Sequence, residues 1–380
     1  MNKYPLIGKC LSVGIILLFI SIAIIPSTGK NIEKSSSATR GHWLYVGGSG
    51  SGNYTQIRDA IDNATAGDTI YVYPGIYYET NLWVNKTLTL IGENQTRTIV
   101  DTRHGGGLIV AADQCNISGF TFQNSTSVLI WLSSDGNTIS HNFFYIRNTG
   151  WEQARGLFLI GNSNTISNNS FLLQSPASSY AIFLQGQDNL IDHNWMRGWY
   201  AGIQDTAGST NNVIRDCIID INDNAVFIVG NHQHLMNNTI TFNDYGIHIW
   251  YTKNNFLQGN TISHTRYTAV NLLDCENITF IGNNFSFNGE TGLDLSHSFQ
   301  CTISQNNFIE NGVNAYVSIG LFDLFKRNTW SYNFWSDKNP TKRWYRVPAD
   351  LELFAVLDAW ITVPWLVFDR HPARQPYEIP

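Results

Sequence analysis

Asn137-Thr-Ile-Ser-His-Asn142-Phe-Phe144 is the clearest copy of a short phrase that recurs through the middle of the chain. The phrase runs from an apolar residue through two polar residues to a turn residue, usually Asn, and then to a large apolar residue. Residues 164–171 and 301–308 are close copies. The turn position recurs at spacings of 21 to 27 residues, at Phe120, Asn142, Asn169, Asn194, Cys217, Asn238, Asn260, Asn283, Asn306 and Asn333. A repeat of this length predicts a solenoid.

The repeat also predicts which side chains form the core. Ile139 and Phe144 of the phrase point inward, and so does Leu157 of a second strand-like run, Gly156-Leu-Phe-Leu159. One coil of about 23 residues cannot bury this surface alone, so coils must stack at about 4.8 Å per turn. We interpret the repeated asparagines as scaffold, because Asn tolerates left-handed backbone and its amide can bond the next Asn in the stack.

Composition narrows the function classes. Charged residues make up 14% of the 380 residues, whereas Asn, Ser, Thr and Gly are abundant. This balance favours β-structure with many turns over a helical bundle. The net charge is −6 and no basic run occurs, so we expect no nucleic-acid partner. The expected form is an elongated monomer.

The N-terminus predicts export. Lys3 and Lys9 precede an apolar run at residues 10–25, which ends at Pro26-Ser-Thr-Gly29. This pattern is typical of a secretory signal, and an uncleaved membrane anchor is the alternative. We assign residues 1–28 to a signal peptide or N-terminal anchor and residues 29–41 to a flexible tether. The expected location is secreted or cell-surface, and the N-terminal segment is the one expected membrane contact.

Sequons and cysteines agree with an exported chain. A glycoprotein is one interpretation of the sequons, although an Asn- and Thr-rich repeat also produces them by chance. The ten sequons begin at Asn53, Asn63, Asn85, Asn94, Asn116, Asn124, Asn168, Asn237, Asn277 and Asn284. After Cys10, the cysteines have neither metal-site spacing nor alignment one coil apart, which predicts buried small residues at Cys115, Cys217, Cys275 and Cys301.

The region ahead of the repeats predicts an N-terminal cap. Residues 43–46 form a strand-like run, and residues 54–64 follow with a helical pattern for which Asn53 is a suitable N-cap. The residues on the apolar face of this helix are Ile57, Ala60, Ile61 and Ala64. A short amphipathic helix at this place would cover the open end of the first coil.

The same opening resembles a known module. With Gly67-Asp-Thr-Ile-Tyr-Val-Tyr-Pro-Gly75 and Lys86-Thr-Leu-Thr-Leu-Ile-Gly-Glu93, it is similar to the first coil of β-helix proteins that act on or bind polysaccharides. Pectin esterases, pectate lyases and NosD-type surface proteins share that opening. The resemblance implies an all-β fold, a right-handed single-stranded parallel β-helix of the pectin lyase-like type. We expect about eleven coils and a short N-terminal capping helix.

The repeat stops after Asn333-Phe-Trp-Ser-Asp337. The remaining segment is rich in Trp, Phe and Pro, and we expect it to cap the last coil and fold back along one flank. Asn333–Asp337 and the closing Asp369-Arg-His-Pro resemble the ends of archaeal NosD-type surface proteins. Residues 351–365 replace the Asp/Gly-rich segment of those proteins, so its ion binding is not implied here. The predicted parts are 42–115 for the N-terminal cap and first coils, 116–337 for the repeats and 338–380 for the C-terminal cap.

Function is expected on the outward positions of the second strands. These positions form one predicted column: Trp131, Phe158, Phe183, Gln204, Phe227, His248, Asn271, Asp294 and Val317. An exposed line of aromatic side chains suits the apolar faces of sugar rings. Alternatively, the C-terminal segment or a loop at residues 174–179 covers the aromatic half, and we favour this cover.

The polar half of the column could carry chemistry. His248, Asn271 and Asp294 lie on consecutive coils, with His248 and Asp294 roughly 10 Å apart, and Trp250 shares their face. A His, an Asp and an aromatic wall could support proton transfer on a sugar. A solvated polar strip is the simpler interpretation, and the facing of the nearby Asp205 is ambiguous.

Metal and enzyme signatures are weak. His232-Gln-His234 and the pair His141 and His193 offer imidazoles without a third or fourth ligand, so we predict no metal site and no cofactor. The paired aspartates of pectin esterases and the Gly-His-Gly phrase of polygalacturonases are absent. The arginines are scattered and lack the acidic cluster that pectate lyases place beside a basic residue.

These observations predict an exported surface β-helix protein that binds extracellular or cell-envelope carbohydrate without catalysis. One alternative is a polysaccharide lyase, epimerase or glycoside hydrolase with His248 and Asp294 as catalytic residues. A copper accessory protein is the second alternative. The expected partner is a polysaccharide or other glycan, and the predicted binding residues are Trp131, Phe158, Phe183, Phe227, His248, Trp250, Asn271 and Asp294.

Overall fold

The chain folds into a parallel β-helix. The computed structural model describes residues 41–147, 154–174, 179–320, 323, 325–338, 341–356 and 359–379, and the side chains of residues 353–361 lie outside this description. The predicted all-β fold is confirmed, with about twelve coils instead of eleven. The predicted signal or anchor and residues 29–40 of the tether fall outside the described residues. Within those residues, no helix has the length and apolarity that a membrane crossing needs.

Each coil crosses three sheets, which we call sheets A, B and C in chain order. The strands of sheet A are Trp43–Val46, Thr69–Val72, Thr89–Gly92, Asn116–Ser118, Thr138–Ser140, Thr165–Ser167, Leu190–Asp192, Val213–Arg215, His234–Met236, Phe256–Gln258, Thr279–Ile281, Thr302–Ser304 and Thr329–Ser331. The strands of sheet B are Gly75–Tyr78, Thr98–Asp101, Thr121–Gln123, Phe143–Ile146, Ser170–Leu173, Trp195–Arg197, Ile218–Asp220, Thr239–Thr241, Thr261–Ser263, Asn284–Ser286, Asn307–Ile309 and Phe334–Trp335. The strands of sheet C are Leu82–Val84, Leu108–Val110, Val128–Leu132, Arg155–Leu159, Tyr180–Leu184, Ala201–Asp205, Asn224–Ile228, Tyr245–Trp250, Val270–Leu273, Thr291–Ser296, Val313–Gly320, Ala349–Val356 and Ala359–Pro364.

All three sheets are parallel except at one end. The last strand of sheet C, Ala359–Pro364, runs antiparallel to Ala349–Val356. A separate two-stranded antiparallel sheet pairs Tyr345–Val347 with Val367–Asp369. Coils therefore stack by strand pairing until the C-terminal segment closes the series.

The core lies between the three sheets and contains the residues that the repeat predicted. Ile139 pairs with Ile166 in sheet A, Phe144 pairs with Phe171 in sheet B, and all four side chains are fully buried. The Phe144 and Phe171 rings stack with centroids 4.4 Å apart. Each fully buried side chain of this size contributes roughly 1.5–3 kcal/mol relative to exposure. Stacking of like residues thus provides the core that a single coil lacks.

The repeated asparagines form a buried hydrogen-bonded ladder between sheets A and B. Asn142 donates its backbone N–H and its side-chain amide to Asn169 Oδ1, at 3.0 and 3.3 Å, and Asn169 repeats both contacts with Asn194. The expected amide bonding along the stack is confirmed. The expected left-handed backbone is wrong for these residues, because positive φ falls on the preceding position, as at His141 and Asn168.

Two further ladders follow the other corners of the coil. Ahead of sheet A, Asn137 donates to Asn164 Oδ1 and Asn164 donates to Asn189 Oδ1. Between sheets B and C, Asn222 donates to Asn243 Oδ1 in the same way. All three corners therefore satisfy buried backbone N–H groups with side-chain oxygens, which avoids the cost of leaving them unpaired.

The N-terminal cap contains the helix Ile57–Asn63, with Ile57, Ala60 and Ile61 buried. The prediction of Asn53 as N-cap is wrong, because Gln56 occupies that position and makes no side-chain capping bond. The carboxylate of Glu79 instead accepts from the backbone N–H groups of Ile57 and Arg58, at 2.6 and 2.9 Å. A residue from the following coil thus satisfies the first turn of the helix.

The C-terminal segment meets the last coils. Asp369 is fully buried, and its Oδ2 accepts from the backbone N–H and amide of Asn333 and from Trp335 Nε1, at 3.0, 3.1 and 3.1 Å. Tyr377 exchanges hydrogen bonds with the Asn307 side chain at 2.8 and 2.9 Å, and its hydroxyl donates to the carbonyl of Tyr332. Asp369 therefore occupies the place of the next asparagine in the ladder.

The four described cysteines are buried and free, as predicted. Burial raises the pKa of the Cys217 and Cys301 thiols to about 12. These thiols stay protonated at neutral pH and act as small core residues.

Candidate functional site

Sheet C carries one continuous column of outward side chains, which we call the outer column. Strand register places its members on successive coils: Trp83, Ile109, Trp131, Phe158, Phe183, Gln204, Phe227, His248, Asn271, Asp294 and Tyr316. The predicted order from Trp131 to Asp294 matches this register. The structure also extends the column towards the N-terminus with Trp83 and Ile109.

One predicted member of the column is wrong. Asp294 pairs with Tyr316, whereas Val317 pairs with Leu295 and is fully buried. The strand Val313–Gly320 enters its coil one residue away from the expected register, and a one-residue shift moves each side chain to the opposite face. Tyr316 is the outward residue at this level.

The aromatic half of the column is partly exposed to solvent. Trp83 and Trp131 keep 59% and 41% of their surface accessible, while Phe158 and Phe183 are half-buried. The Phe158 centroid lies 4.9 Å from that of Trp131 and 5.2 Å from that of Phe183, with the rings tilted or edge-to-face. The ring faces are therefore turned away from close parallel stacking on each other.

The C-terminal segment was expected to cover the aromatic half, but in the described residues a guanidinium lies over its rings instead. In the described part of the chain, the C-terminal segment extends sheet C beyond Val313–Gly320 and contacts the last coils, several coils from Trp131. It is Arg155 that lies over the rings, with its Cζ 5.0 Å from the Phe158 centroid and 4.8 Å from the Phe183 centroid. Residues 175–178 of the other proposed cover lie outside the described residues.

The polar half begins with an aromatic wall around His248. Its ring centroid lies 5.0 Å from Tyr245, 5.3 Å from Trp250 and 5.8 Å from Phe227. Trp250 Nε1 donates to Asn271 Oδ1 at 2.9 Å, which fixes the indole beside the column. The predicted residues Phe227, His248, Trp250 and Asn271 are thus brought together on one face.

The two titratable residues of this face have shifted pKa values. Desolvation lowers the pKa of His248, with an opposing hydrogen bond to Asn271, and His248 Nδ1 is buried without a hydrogen-bond partner in the described residues. Desolvation raises the pKa of Asp294, against hydrogen bonds from Ser296 and Asn271. At neutral pH the imidazole is therefore uncharged and can accept a proton.

Beyond Asp294 the face continues with residues that the sequence did not reveal. The Tyr316 hydroxyl donates to Asp350 Oδ2 at 2.8 Å, and burial together with this carboxylate raises the tyrosine pKa. Glu352 accepts from Ser318 Oγ and contacts His297 Nε2 at 2.8 Å. Strand Ala349–Val356 brings both acids here, and it has no copy of the repeat phrase that could have predicted its register.

The ambiguous Asp205 points inward. It is fully buried, and its carboxylate accepts from Ser209 Oγ at 2.8 Å and from the backbone N–H groups of Val229 and Gly230. Desolvation raises its pKa to about 7. Asp205 therefore belongs to the interior of its coil and not to the outer column.

Among the described residues, one group outside the outer column could hold a metal ion, and its chemistry does not suit copper. Among the described residues, the group with three possible ligands is Asp192, His193 and Asp216, at the turns after sheet A. Arg215 Nε already lies 2.8 Å from Asp192 Oδ1, and His141 is not part of the group. Copper sites favour imidazole and sulfur ligands, whereas this group offers one imidazole with two carboxylates beside a guanidinium. The residues present do not fit copper.

Comparison with solved structures identifies the fold of the chain. Its fold is that of alginate lyase AlyF-OU02 solved with G6, at 13% identity and a TM-score of 0.56, covering 76% of this chain and 77% of that one. A PL6 alginate lyase in complex with a trisaccharide matches at 12% identity and a TM-score of 0.55, covering 80% and 81%. XylC in complex with xylose matches at 10% identity and a TM-score of 0.54, covering 81% and 87%. These likenesses show that the chain shares the parallel β-helix fold of those proteins.

Part of the sequence matches a family model. The sequence model of the NosD family, described as periplasmic copper-binding protein (NosD), matches residues 172–345. No curated protein matches the chain. The matched range contains the polar half of the outer column from Gln204 to Tyr316.

Proposed function

We propose that this NosD-like β-helix protein binds an extracellular or cell-envelope glycan along the outer column of sheet C and performs no catalysis. The observation that carries the proposal is the column itself. It passes in register from partly exposed rings at Trp83 and Trp131 to hydrogen-bonding side chains at Asn271 and Asp294. Sites for sugars combine apolar surfaces with a few placed polar groups.

Two further features support a glycan. A line of large apolar side chains on a described surface is uncommon unless something binds there. Three structures with this fold are complexes with G6, a trisaccharide and xylose, and their likeness to this chain extends to the fold alone. The outer column runs along the stack of coils, so an elongated ligand lying parallel to that stack could contact several rungs.

Export completes the proposal. The basic and apolar residues 1–28 and the ten sequons support a secreted or cell-surface glycoprotein. The matching family model is described as periplasmic, which places that family outside the cytoplasm. N-terminal sequencing of the secreted protein tests this part, and a chain that stays in the cytoplasm contradicts it.

Binding is tested with a glycan panel and the variant Trp131→Ala. We expect the variant to lose most of the binding, since the apolar face of a sugar ring would pack against the Trp131 side chain. Phe242→Ala is the matched control, because Phe242 is 60% exposed but lies at a turn between sheets B and C. Equal binding by both variants would place the glycan elsewhere, and absence of binding to the whole panel would refute the function.

A second candidate is catalysis near His248 and Asp294. The specific observation is the buried, unpartnered Nδ1 of a histidine whose lowered pKa keeps it neutral. A neutral imidazole is a suitable general base for a lyase or epimerase. New chain ends, unsaturated products or epimerised units after incubation with polysaccharides would support this candidate. Activity that is lost in His248→Asn would then assign the base, whereas activity that is retained would move the site away from His248.

A further inference from the structure

The two halves of the outer column differ in charge. Seven consecutive strands of sheet C, from Ala201–Asp205 to Ala349–Val356, contain no Lys or Arg. On the outer side they present three carboxylates, those of Asp294, Asp350 and Glu352. The polar half is therefore acidic at its C-terminal end, from Asp294 onward.

Among the described residues, few basic side chains lie beside these acids. His297 Nε2 contacts Glu352 Oε2 at 2.8 Å. Arg155 lies over Phe158 and Phe183, in the aromatic half. Arg346 lines a depression of about 360 Å³ together with Tyr316 and Asp350. A sugar carboxylate on this face would meet one guanidinium and several carboxylates of its own sign.

The same carboxylates suit a different sugar chemistry. Carboxylate oxygens are acceptors for hydroxyl donors, and such charge-assisted hydrogen bonds are stronger than neutral ones. Asp294 and Asp350 are half-buried. Asp294 accepts from the Ser296 hydroxyl and Asp350 from the Tyr316 hydroxyl, so each keeps further acceptor capacity. Sugar hydroxyls could use that capacity, whereas sugar carboxylates have no proton to donate at neutral pH.

We infer that the outer column selects a neutral glycan, rich in hydroxyl groups. It rejects polyuronates through its own Asp294 and through Asp350 and Glu352 on the adjoining strand Ala349–Val356. The inference rests on the proposed glycan-binding function and names its ligand class. Rejection by one carboxylate 4 Å from a bound uronate corresponds to roughly fivefold weaker binding in bulk water, and to more where water is excluded. The selection weakens as salt screens the charges.

The test uses pairs of polysaccharides that share a backbone and differ in charge. Each polyuronate, such as alginate or polygalacturonate, is compared with its carboxyl-reduced form by calorimetry at low and high salt. We expect the reduced form to bind at least about fivefold more tightly at low salt, with a smaller gap at high salt. Trp131-dependent binding that is equal or tighter for the charged form overturns the inference and leaves the proposed function standing. Absence of binding by every form, together with neutral glycans such as xylan, refutes both.

Variants locate the selecting charges. Asp350→Asn removes one charge and keeps an oxygen that can accept from Tyr316, so the ratio of neutral to charged affinity should fall about threefold at low salt. Asp62→Asn is the control, since Asp62 is exposed on the capping helix at the other end of the chain. A ratio that responds equally to both variants would show a general effect of net charge and would contradict the assignment.

Discussion

The asparagine ladder and the outer column both run along the stack of coils, but they differ in how much they repeat. In the ladder, Asn238, Asn260, Asn283 and Asn306 make the same two contacts with the next member, and all are fully buried. In the outer column, rungs change from Trp to Phe, His, Asn, Asp and Tyr. The repeated asparagines of the ladder hold the coils together. The varied side chains of the outer column are not needed for that contact and are available to bind a ligand.

The largest effect on the free energy of unfolding is expected from Asp205, an acid buried in the interior of its coil. The folded pKa of Asp205 is about 7, above the ordinary value of 3.8, so unfolding releases its proton as pH rises between these values. Wild-type stability should fall as pH rises from 4 to 8, relative to Asp205→Asn, by on the order of 4 kcal/mol at most. Denaturant melts of both proteins across this range measure the difference. A constant difference would mean that Asp205 keeps its ordinary pKa.

Removing one asparagine of the ladder should lower the free energy of unfolding by slightly less than the pH effect at Asp205. Asn260→Ala leaves the backbone N–H of Asn238 without its acceptor and removes the amide bond to the Leu235 carbonyl. Buried unpaired groups cost about 1–3 kcal/mol each, and we expect a loss of about 3 kcal/mol in the free energy of unfolding. Asn116→Ala, at an exposed strand position, is the control and should stay within about 0.5 kcal/mol. Similar losses in the two variants would contradict the division between ladder and surface.

Substituting Asp369, the last acceptor of the ladder, should destabilise the protein less than substituting an asparagine in the middle of the ladder. Asp369→Ala removes the acceptor of Asn333 and Trp335, directly before the exposed residues Arg370 and His371. We expect a loss of about 2 kcal/mol, measured by chemical denaturation. Asp369→Asn keeps an oxygen and should recover part of the loss. If alanine and asparagine behave alike, the acceptor is not what stabilises this end.

The smallest effect on stability is expected in the outer column. Trp131 is 41% exposed, and its removal opens no buried cavity. Trp131→Ala should change the free energy of unfolding by about 0.5 kcal/mol or less while it removes glycan binding. Thermal melts and binding assays on one preparation separate the two properties. A large fall in melting temperature would assign Trp131 to the frame and not to the ligand site.

The sequence predicted the buried core and the asparagine ladder because both consist of residues that repeat from coil to coil. Ile139, Phe144 and the ladder asparagines recur at one spacing, and stacking then requires like residues to pair. The left-handed position was misplaced by one residue because His141, not Asn142, turns the chain, and both residue types tolerate that backbone.

The members of the candidate site could be predicted only where the sheet C strands keep the register that the repeat implies. From Trp131 to Asp294 the outward positions follow from alternation, whereas the shift that brings Tyr316 in place of Val317 leaves no trace in the repeat. Asp350 reaches the site on a strand beyond the last phrase, so no spacing rule connects it with Tyr316. Glu79 caps its helix for the same reason, through a contact between segments that are distant in sequence.

Asp369 also determines where the stack of coils stops. An asparagine at this place would accept from Asn333 and would itself offer an amide to a further rung, so the pattern could continue onto a coil of another molecule. A carboxylate accepts in the same geometry but has no N–H on its side chain to pass on. The ladder thus ends in a side chain that accepts but does not donate, and we expect this ending to disfavour end-to-end association of the coils.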